Sequence, residues 1–175
     1  MSALRLINET TASSVSNVSV TNVFNDDFDI YKIALEIKGV ASGSGWVNLN
    51  FINSSDSVIS TNYAWANKAL LSYASFVDNK SASASVLDNI IHLDSNLNVG
   101  SGATMYIFNP YNSSSYTHLI NKSSGIGFSS GALAIGAKSI GVLKQTDIIT
   151  GFRINPDDTT TFTEIKIRTF GLAVS

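Results

Sequence analysis

The stretch Asn25-Asp-Asp-Phe-Asp-Ile-Tyr-Lys-Ile-Ala-Leu-Glu-Ile-Lys38 decides the fold. Tyr31, Ile33, Leu35 and Ile37 recur every second residue, and Lys32, Glu36 and Lys38 occupy the alternate positions. A period of two places the apolar set on one face of a half-buried β-strand. Gly39 and the Ser-Gly-Ser-Gly run at 42–45 end it in a turn. Three aspartates, Asp26, Asp27 and Asp29, lead into this strand and form the densest group of carboxylates in the chain. A calcium loop needs several oxygen ligands at constrained spacing. This run has neither the glycine nor the distal glutamate of an EF-hand. The aspartates therefore read as a solvated lead-in to the strand, with a weak Ca²⁺ site as the competing reading.

The same alternation recurs along the chain. Val18, Val20 and Phe24 alternate, and in 46–53 Val47, Leu49 and Phe51 are expected inward with Asn48 and Asn50 outward. The run 104–110 is a strand stopped by Pro110, and it is expected to pair with 116–121 across the turn at 111–115. Near the end, Ile148, Thr150, Phe152 and Ile154 are expected on one face, and Ile165 and Ile167 alternate with Glu164, Lys166 and Arg168. The segment Asn155-Pro-Asp-Asp-Thr-Thr160 reads as a hairpin turn between these two strands. Around 64–76 two readings stand. Trp65, Ala69, Tyr73 and Phe76 fit one face of a short helix, whereas Leu71, Tyr73, Ser75 and Val77 fit a strand, and irregular structure plus a strand is the preferred version. The segment 81–102 reads as a short strand followed by a loop. Short alternating strands joined by polar turns point to an all-β fold, an antiparallel β-sandwich of jelly-roll type with room for one short helix. The expected organisation is one domain over residues 1–175, with 1–14 as an N-terminal strand and Ser/Thr-rich segment.

Composition narrows the function. Charged residues make up 14% of the 175 residues, well below the roughly 25% usual for globular domains. Ser, Asn and Thr supply about a third of the chain. The net charge is −2 and the 11 Lys and Arg are scattered along the sequence, so no basic patch suggests a nucleic-acid partner. There are no cysteines, which removes disulfides and thiolate metal sites. The N-terminus lacks the basic and apolar regions of a signal peptide, and no apolar run approaches the ~20 residues that span a bilayer; no membrane partner is expected. Asn8, Asn17, Asn53, Asn79, Asn112 and Asn121 stand in Asn-x-Ser/Thr sequons, at a frequency that the composition accounts for, and none is expected to be glycosylated.

Catalytic constellations are not assembled. His92 and His118 lie on separate expected strands with no ligand spacing around them. No Gly-x-Ser-x-Gly elbow occurs, and the glycine-rich run at 125–131 has no βαβ unit around it. Glu9, Glu36 and Glu164 are read as solvent-facing or terminal. The expectation is a protein without enzymatic activity, cofactor or metal. Four aromatics near expected loops, Tyr63, Trp65, Tyr111 and Tyr116, are candidates for interface or glycan contacts; the plainer reading is that they plug the ends of the sandwich.

The order of motifs resembles that of small virion proteins of marine tailed phages. The matching pieces are LRLINETTASS (4–14), DFDIYKIALEIKGV (27–40), YIFNPYNSSSYTHLIN (106–121) and ITGFRINPDDTTTFTEIKIRTFGLAV (149–174). Those proteins often close on Leu-Tyr-Gly, where this chain has Thr169-Phe170-Gly171-Leu172, a change of aromatic that keeps the packing. The resemblance implies a structural role in a virion assembled in a bacterial cytoplasm, as a capsid-surface decoration or fibre component. The implied partners are the major capsid protein or tail proteins, with a homo-oligomer expected. The alternative it leaves open is a tail receptor-binding or adhesin module that recognises host-surface glycans. A free carbohydrate-binding module would need secretion, which the N-terminus does not support.

Overall fold

The computed structural model describes residues 3–94, 100–128, 132–157 and 160–173. Twelve strands carry these residues, and no helix occurs among them. An eight-stranded antiparallel sheet runs in the order β1 (Ala3–Val15), β12 (Phe162–Ala173), β3 (Ile30–Val40), β8 (Ser101–Phe108), β9 (Thr117–Phe128), β10 (Ala132–Leu143), β5 (Tyr63–Leu71) and β6 (Val77–Ala84). A four-stranded sheet lies over it, in the order β2 (Val18–Val20), β11 (Ile149–Pro156), β4 (Ser44–Asn53) and β7 (Leu87–Asp94). The inner faces share one apolar core. Tyr31, Ile33 and Ile37 from β3, Leu49 and Phe51 from β4, Phe152 from β11 and Ile165 from β12 are all closed to solvent. The all-β sandwich expected from the period-two pattern is the fold observed.

The two sheets are built from strand pairs that cross together. β3 pairs with β12 in the large sheet, and their continuations β4 and β11 pair in the small one. The two crossings are tied to each other: Ala41 N–H donates to the Thr161 carbonyl at 2.9 Å, and Asp157 N–H donates to the Trp46 carbonyl at 2.9 Å. A hydrogen-bonded pair that folds over as a unit is the jelly-roll device. It also corrects the expected hairpin at 155–160. β11 and β12 lie in different sheets, so the chain crosses between sheets from one to the other; Asp158 and Thr159, part of that reading, lie outside the described residues.

Tertiary packing alters three further expectations. The helical reading of 64–76 is wrong. β5 runs to Leu71 along β10 with Tyr63, Asn67 and Ala69 buried, residues 72–76 turn, and β6 returns beside it. Backbone pairing to β10 along the whole of β5 outweighs a four-residue coincidence with helical spacing. The segment 81–102 holds the end of β6, all of β7 and the start of β8 rather than one short strand. In β11 a register shift between Ile149 and Gly151 turns Ile149 inward with Phe152 and Ile154, leaving Ile148 and Thr150 half-buried.

Polar side chains also enter the core. Asn50, expected outward, is buried, and its amide donates to the Ile59 and Ser85 carbonyls, each at 2.9 Å. Asn121 reaches across the sandwich to the Ile90 carbonyl at 2.7 Å, and Ser139 Oγ, in register beside it, donates to the Asn89 carbonyl at 3.3 Å. Asn89 adopts a left-handed φ of 58°, a conformation asparagine tolerates, and β7 there has irregular pairing with β4. The asparagine and serine of the large sheet thus donate to carbonyls of β7 where its pairing with β4 is irregular.

Candidate interaction face

The large sheet has a second face, and the strand register fixes what it displays. On β9, Leu119 and Asn121 are buried while His118, Ile120 and Lys122 are exposed. On β10 Ile140 is exposed between buried Ser139 and Gly141, and Lys138 is exposed on the same face. Cross-strand partners share a face, so the outward residues form rows that can be followed from strand to strand. One row passes through Phe170, Lys32, Tyr106, Ile120, Ile140 and Ala66. The next passes through Leu172, Ile30, Phe108, His118, Val142 and Ala64. Ile140 is 61% exposed and Ile120 45%. Leu4 and Leu6 extend the same two rows onto the edge strand β1 and are likewise exposed.

Two adjacent rows that are apolar apart from Lys32 and His118 are unusual across an open sheet face, because an uncovered face normally alternates to polar residues. The small side chains of Ala64 and Ala66 leave a hollow between the isoleucines of β9 and β10 and the β6 side chains Lys80 and Ala82. The result is a groove of about 720 Å³ with a largely apolar lining. A third row, on the side away from Phe108, places Lys122, Lys138 and Lys68 next to one another on β9, β10 and β5. Of the three, Lys68 alone has an ion-pair partner among the described residues, Asp78 at 3.2 Å. The lysines that are scattered in the sequence are thus gathered into a basic border beside the apolar rows.

The four aromatics singled out from the sequence fall in three different places. Tyr63 is fully buried. Its ring stacks on Phe51 with centroids 6.2 Å apart, its hydroxyl accepts from Phe51 N–H at 2.8 Å, and it donates to the Ile59 carbonyl at 3.1 Å. Burial pushes its phenol far above the usual tyrosine range. No partner can reach it in the folded chain, so its role is in the core. Trp65 packs half-buried against the core and reaches a wall of the groove. Tyr111 and Tyr116 are exposed, 40% and 46%, on the loop between β8 and β9.

Tyr111 stands beside the aspartates at the mouth of β3. Asp26, Asp29, Asn25, Asn109 and Asn112 join it around a small polar hollow of about 230 Å³. Locally the cluster is a turn. Asn25 Oδ1 accepts from Asp27 N–H at 3.1 Å, and the Tyr31 hydroxyl accepts from Asn25 N–H at 2.8 Å. Among the described residues no three His, Cys, Asp or Glu side chains are grouped to hold a metal ion. His92 lies edge-on to Trp46, 5.1 Å between ring centroids, while His118 is on the opposite face of the large sheet. Of the glutamates, Glu9 bridges Arg168 at 2.6 Å and Lys166 at 3.1 Å; the hydrogen bond from Arg168, then that from Lys166, holds its carboxyl below the ordinary range. Glu164 pairs with Lys38 at 2.7 Å, and Glu36 is exposed.

Sequence reasoning missed the apolar rows, yet a signal is present. Leu119-Ile120 and Ile140-Gly-Val-Leu143 put apolar residues at consecutive positions of a strand, the mark of a strand with both faces covered.

No family model and no curated protein matches the chain. Among solved structures, the infectious bursal disease virus Gt strain aligns with 98% of this chain at 10% identity and a TM-score of 0.15. The VP2 subviral particle of the same virus aligns with 99% of it at 9% identity and a TM-score of 0.14. The chain spans 38% and 39% of those chains, and the TM-scores are below those of structures that share a fold.

Proposed function

We propose that this chain is a non-enzymatic structural protein of a tailed-phage virion, a capsid-surface decoration or fibre component. It assembles as a homo-oligomer against the major capsid protein or tail proteins, without cofactor, nucleic acid or membrane. The observation that carries this reading is the outer face of the large sheet. Soluble monomers rarely expose contiguous apolar patches larger than a few hundred Å², and here two neighbouring rows, apolar apart from Lys32 and His118, cross the sheet and flank an apolar groove beside exposed Ile120 and Ile140. The fitting partner is a protein surface with an apolar centre and an acidic border facing Lys122, Lys138 and Lys68. The motif order that resembles virion proteins of marine tailed phages supports the same reading.

The test is incorporation into particles. Ile120→Glu and Ile140→Glu, both at exposed positions, should leave unfolding cooperative and reduce the copies of the chain per purified particle. Full occupancy with both substitutions would sink the reading. The polar hollow around Tyr111 favours a second reading, recognition of host glycans by a tail adhesin, since an aromatic beside carboxylates and amides suits a sugar ring. On that reading Tyr111→Ala keeps particle occupancy and loses adsorption to host cells.

A further inference from the structure

β6 is the last strand of the large sheet, and beyond it no strand pairs among the described residues. Its residues are almost all exposed. Lys144 Nζ donates to the Ala82 carbonyl at 2.6 Å, which leaves Val77-Asp-Asn-Lys-Ser81 as the open run. An open edge offers unpaired N–H and C=O groups to another strand, and proteins usually blunt it with charged side chains, proline, a bulge, an inward charge or a covering loop; β6 has the first, and a register shift against β5 near its end. This run has no proline, and its two charges, Asp78 and Lys80, point outward with their partners Lys68 and Ala66.

Those charges are self-complementary. We propose that a second copy of this chain pairs its β6 antiparallel to this one, about a two-fold axis at Asn79, joining two large sheets edge to edge. In that register Asp78 faces Lys80 of the second copy, Lys80 faces its Asp78, and Val77 faces its Ser81. The competing registers are penalised. A slip of two residues sets Asp78 against Asp78 or Lys80 against Lys80, and like charges directly opposite destabilise a strand pair. A slip of one turns every side chain to the other face. Two charges two residues apart on one face therefore select a single antiparallel register, and the closed two-fold limits the product to a dimer. The pairing goes beyond the virion reading and does not depend on it, because it concerns the purified chain.

The chain has no cysteine, so one introduced thiol reports proximity cleanly. Partners across an antiparallel pair have Cα atoms about 4.5–5.5 Å apart, within the span of a disulfide. Under mild oxidation in dilute solution, Asn79→Cys should form a covalent dimer much faster than Ser113→Cys, an exposed control on the far loop. Adding Lys80→Asp or Asp78→Lys to Asn79→Cys should slow it by about tenfold. An equimolar mixture of the two charge-reversed chains should restore the rate, since Asp faces Lys at both positions again. Far-UV circular dichroism confirms the fold of each variant, and Lys80→Ala, which leaves the Lys68–Asp78 pair intact, gives an intermediate rate. The pairing is overturned if Asn79→Cys couples no faster than the control, if charge reversal leaves the rate unchanged, or if mixing fails to restore it. Failure here leaves the particle-incorporation test untouched.

Discussion

At the scale of residues, Tyr63 shows how one side chain serves two layers. It lies on β5 of the large sheet, and its hydroxyl is the partner of Phe51 N–H on β4 of the small one. Tyr63→Phe leaves that buried amide without its acceptor, at a cost of about 1–3 kcal/mol, measured as a shift in the urea midpoint. The phenol also gives stability a pH limb. Its folded pKa is raised, chiefly by burial, so its contribution is complete below the unfolded value near 10. It is lost as pH rises further, because only the unfolded chain then releases the proton. Tyr31, raised by burial in the same direction, adds to the limb. Between neutral pH and about pH 10.5 the wild type should therefore lose more stability than Tyr63→Phe. Parallel declines would show that the Tyr63 phenol ionises as freely in the folded chain as in the unfolded one.

At the scale of elements, β2 and β11 depend on a glycine. β2 has three residues, Val18–Val20, held at register partners Ile154 to Phe152. A Cβ on Gly151 would run into the Val20 carbonyl oxygen and lie 2.9 Å from Thr21 Cα. These are backbone atoms, which cannot swing aside as a side-chain tip does. Gly151→Ala should cost about 1–3 kcal/mol, as overpacking does, and should raise hydrogen exchange at Val18–Val20. Gly102→Ala is the control: its Cβ would sit 3.6 Å from the Leu35 carbonyl, an ordinary contact, and stability should stay within about 0.5 kcal/mol. Equal effects at the two sites would mean that β2 can move away from β11 at little cost.

At the scale of the molecule, the continuous core predicts that the sheets unfold together. The two tryptophans report on them separately, Trp46 on β4 of the small sheet and Trp65 on β5 of the large one. The fluorescence of Trp46→Phe and Trp65→Phe should give midpoints that coincide with each variant's circular dichroism; a separated midpoint would mean that one sheet holds its structure alone. By itself the sequence determined the β class and the inward faces of β3 and β12, because period-two alternation is local and survives any tertiary arrangement. It also carried the β8–β9 pairing, through the turn-forming residues between two apolar runs. Only the tertiary structure decided that the chain crosses between sheets from β11 to β12, that Asn50, Asn121 and Ser139 belong inside, and that Ile120, Ile140 and three lysines form adjoining rows. The reason is the same in each case. Which strands become neighbours, and which carbonyls a side chain reaches, depends on residues far apart in the chain, and no local pattern records it.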